Sequence, residues 1–204
     1  MKGSHDNIAL PAAILLAAGS ASRMGLPKQL LEYEGKTLLE WAVGKALASG
    51  YGPVVVVGGA YSPAIAQICA TLGPKVHFCH YAEWAKGMGG SIACGMQYLL
   101  ELAPLIPGVL IFLADQPWVG VEHLKGLHHA WVAEKPPYAA AWYNDKPGAP
   151  AIFSREVFAD LLACSGDQGA RMLFREYPGL HYPLPQAAFD IDTPEDWKIF
   201  TKNK

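Results

Sequence analysis

Leu15-Leu16-Ala17-Ala18-Gly19-Ser20-Ala21-Ser22-Arg23-Met24-Gly25-Leu26-Pro27-Lys28 decides how the chain is read, because an apolar run passes directly into a loop of small residues carrying two cations. Gly19, Ser20, Ser22 and Gly25 permit tight turns that aim backbone N–H groups inward, while Arg23 and Lys28 bring fixed positive charge to the same concavity. The expected guest is a polyanion. The spacing matches neither the G-x-x-x-x-G-K-[ST] of a Walker loop nor the G-x-G-x-x-G of a dinucleotide fold, so a third type of phosphate cradle is implied.

Outward from this stretch, strand and helix alternate. The first strand ends near Ala17, and Leu38, Leu39, Ala42, Val43, Ala46 and Leu47 give a helical period over Thr37 to Ser49, stopped by Gly50. Pro53 to Gly59 contains four consecutive valines, the mark of a strand covered on both faces and hence of a parallel sheet between helices. The pattern continues with a helix at Pro63 to Leu72, a strand at Val76 to Cys79, a helix at Ser91 to Leu102 and a strand at Val109 to Ala114 ending on Asp115. A helix at Val121 to Ala133, a turn at Lys135-Pro136-Pro137 and a strand at Tyr138 to Tyr143 follow. Toward the C-terminus a strand is expected at Ala188 to Ile191, then a helix with Thr193 as N-cap, Pro194 at its first position and Asp196 three residues after the cap. Alternation of this kind predicts a three-layer α/β/α fold with a mostly parallel sheet.

Composition narrows the possibilities. With 204 residues, 51% of them hydrophobic and 17% charged, the chain has apolar content for one sizeable core, and a single domain over 1–204 is expected. A net charge of −2 gives no general field for nucleic acid or an anionic membrane, so any cationic site must be a focused pocket. Cys69, Cys79, Cys94 and Cys164 form no CxxC pair, and none of the seven histidines stands at zinc-finger spacing from them, which fits free thiols in a cytoplasmic protein. Lys2 followed by the run Ile8 to Ala18 superficially resembles a secretory signal, but Pro11 interrupts it and it leads without a break into the Gly/Ser/Arg loop. No apolar run approaches the ~20 residues of a membrane-spanning helix.

Candidate site residues follow from placement. Loops at the carboxyl ends of parallel strands line the usual ligand crevice, so Asp115 and Asp192 are expected to meet the Gly19 to Lys28 loop there. Facing a triphosphate, the two carboxylates make a suitable pair for Mg²⁺, with Mn²⁺ an acceptable substitute; a cap or turn role is the structural alternative for each. Gly87-Met88-Gly89-Gly90-Ser91 would let backbone approach a flat ligand, with Ser91 as helix N-cap or ligand contact. Arg171, after the loop Gly166 to Ala170, is available to an anionic substrate or to an internal carboxylate. His128 and His129 are read as solvated on a polar helix face.

Four segments in order, Leu16-Ala17-Ala18-Gly19-x-x-Ser22-Arg23-Met24-Gly25-x-Pro27-Lys28, Gly87-Met88-Gly89-Gly90-Ser91-Ile92, Leu113-Ala114-Asp115-Gln116-Pro117 and Asp190-Ile191-Asp192-Thr193-Pro194-Glu195-Asp196, resemble the MobA-like nucleotidyltransferases, and within them the molybdenum cofactor cytidylyltransferases. The resemblance implies a seven-stranded sheet of the GT-A or nucleotide-diphospho-sugar transferase type with one strand reversed. It also implies Mg²⁺-dependent transfer of a nucleotidyl group from NTP to a phosphate-bearing acceptor, releasing pyrophosphate. Among similar proteins Leu-Ala-Ala-Gly goes with cytidine and Leu-Ala-Gly-Gly with guanosine, so Leu16-Ala17-Ala18-Gly19 favours CTP. On this reading Arg23, Lys28 and Asp115 are catalytic, Leu16 to Gly19, Ser22, Arg23, Lys28, Gly90 and Ser91 bind nucleotide, Gln116, Gly148 and Arg171 face the acceptor, and Asp115 and Asp192 hold the metal.

One departure concerns the acceptor side: similar proteins often carry Gly-His-Pro where this chain has Gly148-Ala149-Pro150. The expected acceptor is a molybdopterin-type cofactor, with a molybdenum oxidoreductase as possible partner. Two alternatives stay open: transfer to another phosphorylated acceptor such as a sugar phosphate, and a non-catalytic carrier that hands cofactor to an oxidoreductase.

Overall fold

The computed structural model describes residues 11–19 and 27–202. In chain order these form β1 (Ala12–Ala17), a short hairpin of β2 (Glu32–Tyr33) and β3 (Lys36–Thr37), α1 (Leu38–Ala48), β4 (Val54–Gly58), α2 (Ser62–Thr71), β5 (Val76–His80) and α3 (Met88–Leu102). Then come β6 (Gly108–Leu113), α4 (Val121–Glu134), β7 (Tyr138–Tyr143), β8 (Lys146–Ser154), α5 (Phe158–Leu162), α6 (Leu173–Glu176), β9 (Gly179–Pro183) and α7 (Pro194–Lys202).

Seven strands make one sheet in the order β5-β4-β1-β6-β8-β7-β9. Only β8 runs against the others, pairing antiparallel with both β6 and β7. The two faces are read directly from alternation along β1. Ala13, Leu15 and Ala17 join Val54, Val56, Leu110 and Phe112 under α1, α2 and α4. Ala12 and Ile14 join Val55, Val57, Val109 and Ile111 under α3, α5 and α6. The four valines of β4 are fully buried, each worth roughly 1.5–3 kcal/mol on removal from water, so this strand anchors both halves of the core. Helix α1 begins with a capping box: Thr37 Oγ1 accepts from Glu40 N–H at 3.2 Å, and Glu40 Oε2 accepts from Thr37 N–H at 2.7 Å.

β8 shows why the sequence hides one central strand. Pro147 and Pro150 argue against a strand interior. The ladder with β7 steps from Ala140 opposite Ala151 to Ala141 opposite Gly148, so Ala149 and Pro150 fall in a bulge and owe no ladder hydrogen bond. Nor do residues 188–191 form the expected strand: a 3₁₀ turn at Pro185–Ala188 is followed by irregular backbone. Ile191 N–H instead donates to Asp115 O at 2.9 Å, a single tie in place of a ladder. Helix α3 starts three residues before Ser91, at Met88, with Gly87 as its N-cap.

His128 corrects the reading of its helix face. It is buried, stacked near Trp131 and Tyr51, and burial followed by the neighbouring His129 holds its imidazole below the usual range. All four cysteines are free thiols, three of them buried. Among the described residues no helix is long and apolar enough to cross a membrane.

Lys45 on α1 borders a cavity of about 260 Å³ walled by Leu38, Trp41, Phe112, Val119 and Leu124. Its ammonium donates to Pro117 O at 2.7 Å, and burial pushes its pKa down to about 8 from an ordinary 10.5. Between those two values the unfolded chain binds more protons than the folded one, so stability rises with pH across that window and the full penalty applies below it. Lys45→Met should raise the unfolding free energy at pH 7 by roughly 1 kcal/mol, with the advantage shrinking toward pH 10.5. Urea titrations at both pH values check this; a variant no more stable at pH 7 would contradict it.

Candidate active site at the carboxyl edge of the sheet

Because β1, β4 and β6 are parallel, the segments after Ala17, Gly58 and Leu113 emerge along one edge. At this edge Lys28 closes an ion pair with Asp115 Oδ2 and a second with Asp192 Oδ1 at 2.7 Å. Residues far apart in sequence therefore meet, as expected for Lys28, Asp115 and Asp192. Side-chain exposure grades from 14% at Asp115 through 24% at Lys28 to 44% at Asp192, so the cluster has a buried acidic floor and a solvent-facing rim.

Each member is held by its own local structure. Lys28 opens a 3₁₀ turn over Lys28–Leu30, and the buried Gln29 beside it donates to Ala17 O at 3.1 Å and Gly19 O at 3.5 Å. Ala18 O accepts from Ala60 N–H at 3.3 Å. In a trans peptide the following N–H points opposite to the carbonyl, so that bond turns Gly19 N–H away from Ala60. Asp115 follows β6 directly. Asp192 is fixed by the Ile191 tie to Asp115 and by the stack of Trp118 on Phe189, centroids 3.9 Å apart, which clamps the two acidic segments together. The α7 cap completes it: Asp196 Oδ2 accepts from the Thr193 hydroxyl at 2.7 Å and from the N–H groups of Thr193 at 2.8 Å and Asp192 at 3.1 Å, bonds that hold the Asp196 carboxyl below its ordinary range.

Charges in the cluster act on one another. Burial alone would lower the Lys28 pKa, but Asp115 and Asp192 together outweigh it and raise it, so the ammonium stays charged. Asp190 is pushed up to about 6, first by burial and then by the charges of Asp115 and Asp192, against the opposing pull of Lys28 and a hydrogen bond from Gln116. Asp115 Oδ1 and Asp190 Oδ1 are buried without a hydrogen-bond partner among the described residues. The orphaned Asp115 oxygen, with the half-exposed Asp192 carboxylate beside it, suits a hard divalent cation. Among the described residues no three His, Cys, Asp or Glu side chains close on a common point, so a metal here would take its other ligands from substrate and water.

The remaining expected residues fall into place unevenly. Leu16 and Ala17 end β1, with Ala17 and Ala18 buried and Gly19 exposed at the head of the loop. Ser22 and Arg23 lie outside the described residues. Ser91 is buried inside the first turn of α3 and caps nothing. The glycines before it admit protein neighbours: a Cβ on Gly89 would meet the Ser165 backbone at 2.5 Å, and one on Gly90 would strike the Tyr81 hydroxyl. Gly89 N–H donates to Gly166 O at 2.8 Å, which fastens α3 to the loop before Arg171. Gln116 is buried, donating to Ala149 O at 3.1 Å and Ala187 O at 2.9 Å, so its amide nitrogen braces the β8 bulge and is not offered to a ligand. Gly148 passes the Tyr143 hydroxyl, with no room for a Cβ. The exposed Arg171 contributes charge to that tyrosine's surroundings, although burial dominates in raising the phenol.

Gln29, Asp190 and the Trp118–Phe189 clamp are missed by sequence reasoning. Gln29 directly follows the lysine inside an otherwise apolar turn, a usable signal for a buried brace. Asp190 stands one residue from Ile191 and two from Asp192, but its burial depends on a loop that periodicity does not reveal.

The MobA-like NTP transferase domain matches residues 13–181. The purine catabolism protein PucB of Bacillus subtilis is 30% identical over 199 residues, 91% of this chain and 93% of that protein. The nicotine blue oxidoreductase of Paenarthrobacter nicotinovorans is 34% identical over 179 residues, 82% of each. Among solved structures, Rv0371c from Mycobacterium tuberculosis H37Rv superposes with a TM-score of 0.78 at 26% identity, over 96% of this chain and all of that one. Its complex with manganese superposes at 0.74 with 25% identity, over the same share of each chain.

The raised Asp190 carboxyl carries a stability consequence. An unfolded aspartate ionises near 3.8 but the folded one holds its proton to about 6, so stability falls as pH rises between these values and remains lower above them. Asp190→Asn should therefore gain roughly 1 kcal/mol at pH 7.5, after discounting for solvent screening, and nothing near pH 3.5. Denaturant midpoints at the two pH values measure it; an unchanged midpoint at pH 7.5 would mean that Asp190 ionises without cost.

Proposed function

We propose that this chain, which belongs to the MobA-like NTP transferase family, moves CMP from CTP onto the phosphate of a molybdopterin-type cofactor and releases pyrophosphate. The observation that carries the reading is the meeting of Lys28 with Asp115 and Asp192 at the carboxyl edge of the sheet. A lysine beside two carboxylates, with Arg23 five residues earlier in sequence, matches what phosphoryl chemistry requires: cations for the phosphates and oxygens for a divalent ion.

The reaction needs no protein nucleophile. An acceptor phosphate monoester is largely ionised near neutral pH, its second pKa being about 6. One of its oxygens attacks the α-phosphorus of CTP in line, a new P–O bond forms, and the α–β bridging bond breaks with its electron pair leaving on pyrophosphate. The protein's part is positioning and charge. Lys28 holds the α-phosphate, Arg23 the β- and γ-phosphates, and Gly19 N–H donates to a phosphate oxygen. Asp115 and Asp192 would hold Mg²⁺ or Mn²⁺, which when bound neutralises phosphate charge. The manganese complex of the M. tuberculosis relative supports a divalent metal. On the acceptor side the bulge at Ala149-Pro150, braced by Gln116, offers no imidazole, which leaves Gly148 and Arg171 to meet the acceptor.

Removing a preorganised cation of this kind lowers turnover about 100-fold, so Lys28→Ala should fall mainly in kcat and Asp115→Asn should abolish metal-dependent turnover. Pyrophosphate release measured with each NTP, with and without molybdopterin, tests the assignment: release is expected from CTP and only with molybdopterin. Release with a sugar phosphate instead would move the reading to another acceptor. CTP binding without release would favour a carrier, and NAD(P)H-dependent reduction with no release would side with the oxidoreductase name borne by one relative.

A further inference from the structure

The Lys28 ammonium touches both carboxylates that the preceding reading gives to a metal, Asp115 through Oδ2 in direct contact and Asp192 through Oδ1 at 2.7 Å. A divalent ion bound by the same two oxygens, at about 2.0–2.2 Å for Mg²⁺ or Mn²⁺, would sit almost on top of that nitrogen. We propose that Lys28 is a built-in counter-ion, filling the cation position between Asp115 and Asp192 until a triphosphate draws it off, so that metal and nucleotide load as a coupled pair.

Two features support this. The Lys28 backbone is pinned: Gln29 ties the turn to Ala17 O and Gly19 O, so exchange of partners falls to the four rotatable bonds of the side chain. Finally, the surroundings are unbalanced in a way that penalises either ligand alone. Without metal, Asp115, Asp190 and Asp192 crowd one cation and repel a polyanion; without nucleotide, a divalent ion must displace Lys28 from the two carboxylates that pair it. When both arrive, the ion takes the carboxylates and the ammonium takes a phosphate oxygen, and every charge is paired. Coupling of this kind is reciprocal by thermodynamic necessity.

The inference rests on Asp115 and Asp192 being the metal pair, so the experiment separates the two. Mn²⁺ binding to nucleotide-free protein is followed by electron paramagnetic resonance of free Mn²⁺, with no turnover involved. Lys28→Met should bind Mn²⁺ at least ~10-fold more tightly than wild type, because the resident cation is gone, whereas Lys28→Arg, which keeps it, should stay as weak as wild type. If Lys28→Met does not fold, as judged by circular dichroism, Lys28→Gln serves in its place. Adding a non-hydrolysable α,β-methylene CTP should tighten Mn²⁺ binding by wild type far more than by the methionine variant. Unchanged or weakened nucleotide-free Mn²⁺ affinity in Lys28→Met would overturn the counter-ion role even if Asp115→Asn abolishes Mn²⁺ binding. Should Asp115→Asn leave Mn²⁺ affinity intact, the metal pair itself is wrong and the inference falls with it.

Discussion

The contact of one ammonium with two carboxylates, Lys28 with Asp115 and Asp192, is the constraint around which the rest of the molecule is arranged. Like charges from two distant segments do not gather at a partly buried edge unless something opposes their repulsion, and here a single lysine does so. The Asp190 carboxyl, raised first by burial and then by the charges of Asp115 and Asp192, shows that the lysine offsets only part of the strain. A site left short of positive charge is costly to the fold and suited to a ligand that brings its own cation.

Packing makes this arrangement possible. The largely buried β1 and β6 and the fully buried β4 fix the height at which their carboxyl ends emerge, and the reversed β8 continues the sheet on the far side of β6. Small ties then do the aiming: Gln29 holds the lysine turn to the end of β1, Ile191 N–H holds the second acidic segment to the first, and the Trp118–Phe189 stack keeps them aligned. None of these ties involves the charged groups themselves. Charge supplies the chemistry and neutral braces supply the geometry, the division expected where a site must stay in place while its ligands exchange.

Much of this is legible in the sequence. Unbroken valines in β4 and the apolar run into Asp115 announced buried parallel strands, and Thr193-Pro194 with Asp196 announced the cap of α7, all through local rules that hold without tertiary help. The pairing of Lys28 with the two aspartates followed from the rule that loops at carboxyl ends share a crevice. What stayed hidden depends on long-range contact. β8 carries two prolines that a local reading counts against it, of which a bulge absorbs Pro150. The glycines before Ser91 read as ligand space and turned out to admit Ser165, Gly166 and Tyr81. His128 looks like a surface histidine until Trp131 and Tyr51 close over it.

The central claim is that Lys28, Asp115 and Asp192 surround one metal-bound triphosphate. Crystals grown with Mn²⁺ and a non-hydrolysable CTP analogue, with anomalous data collected at the manganese edge, test it most directly. The account predicts a manganese peak bridging Asp115 and Asp192, with the Lys28 ammonium turned to the α-phosphate. A peak elsewhere, or nucleotide bound while Lys28 still bridges the two aspartates, would contradict it.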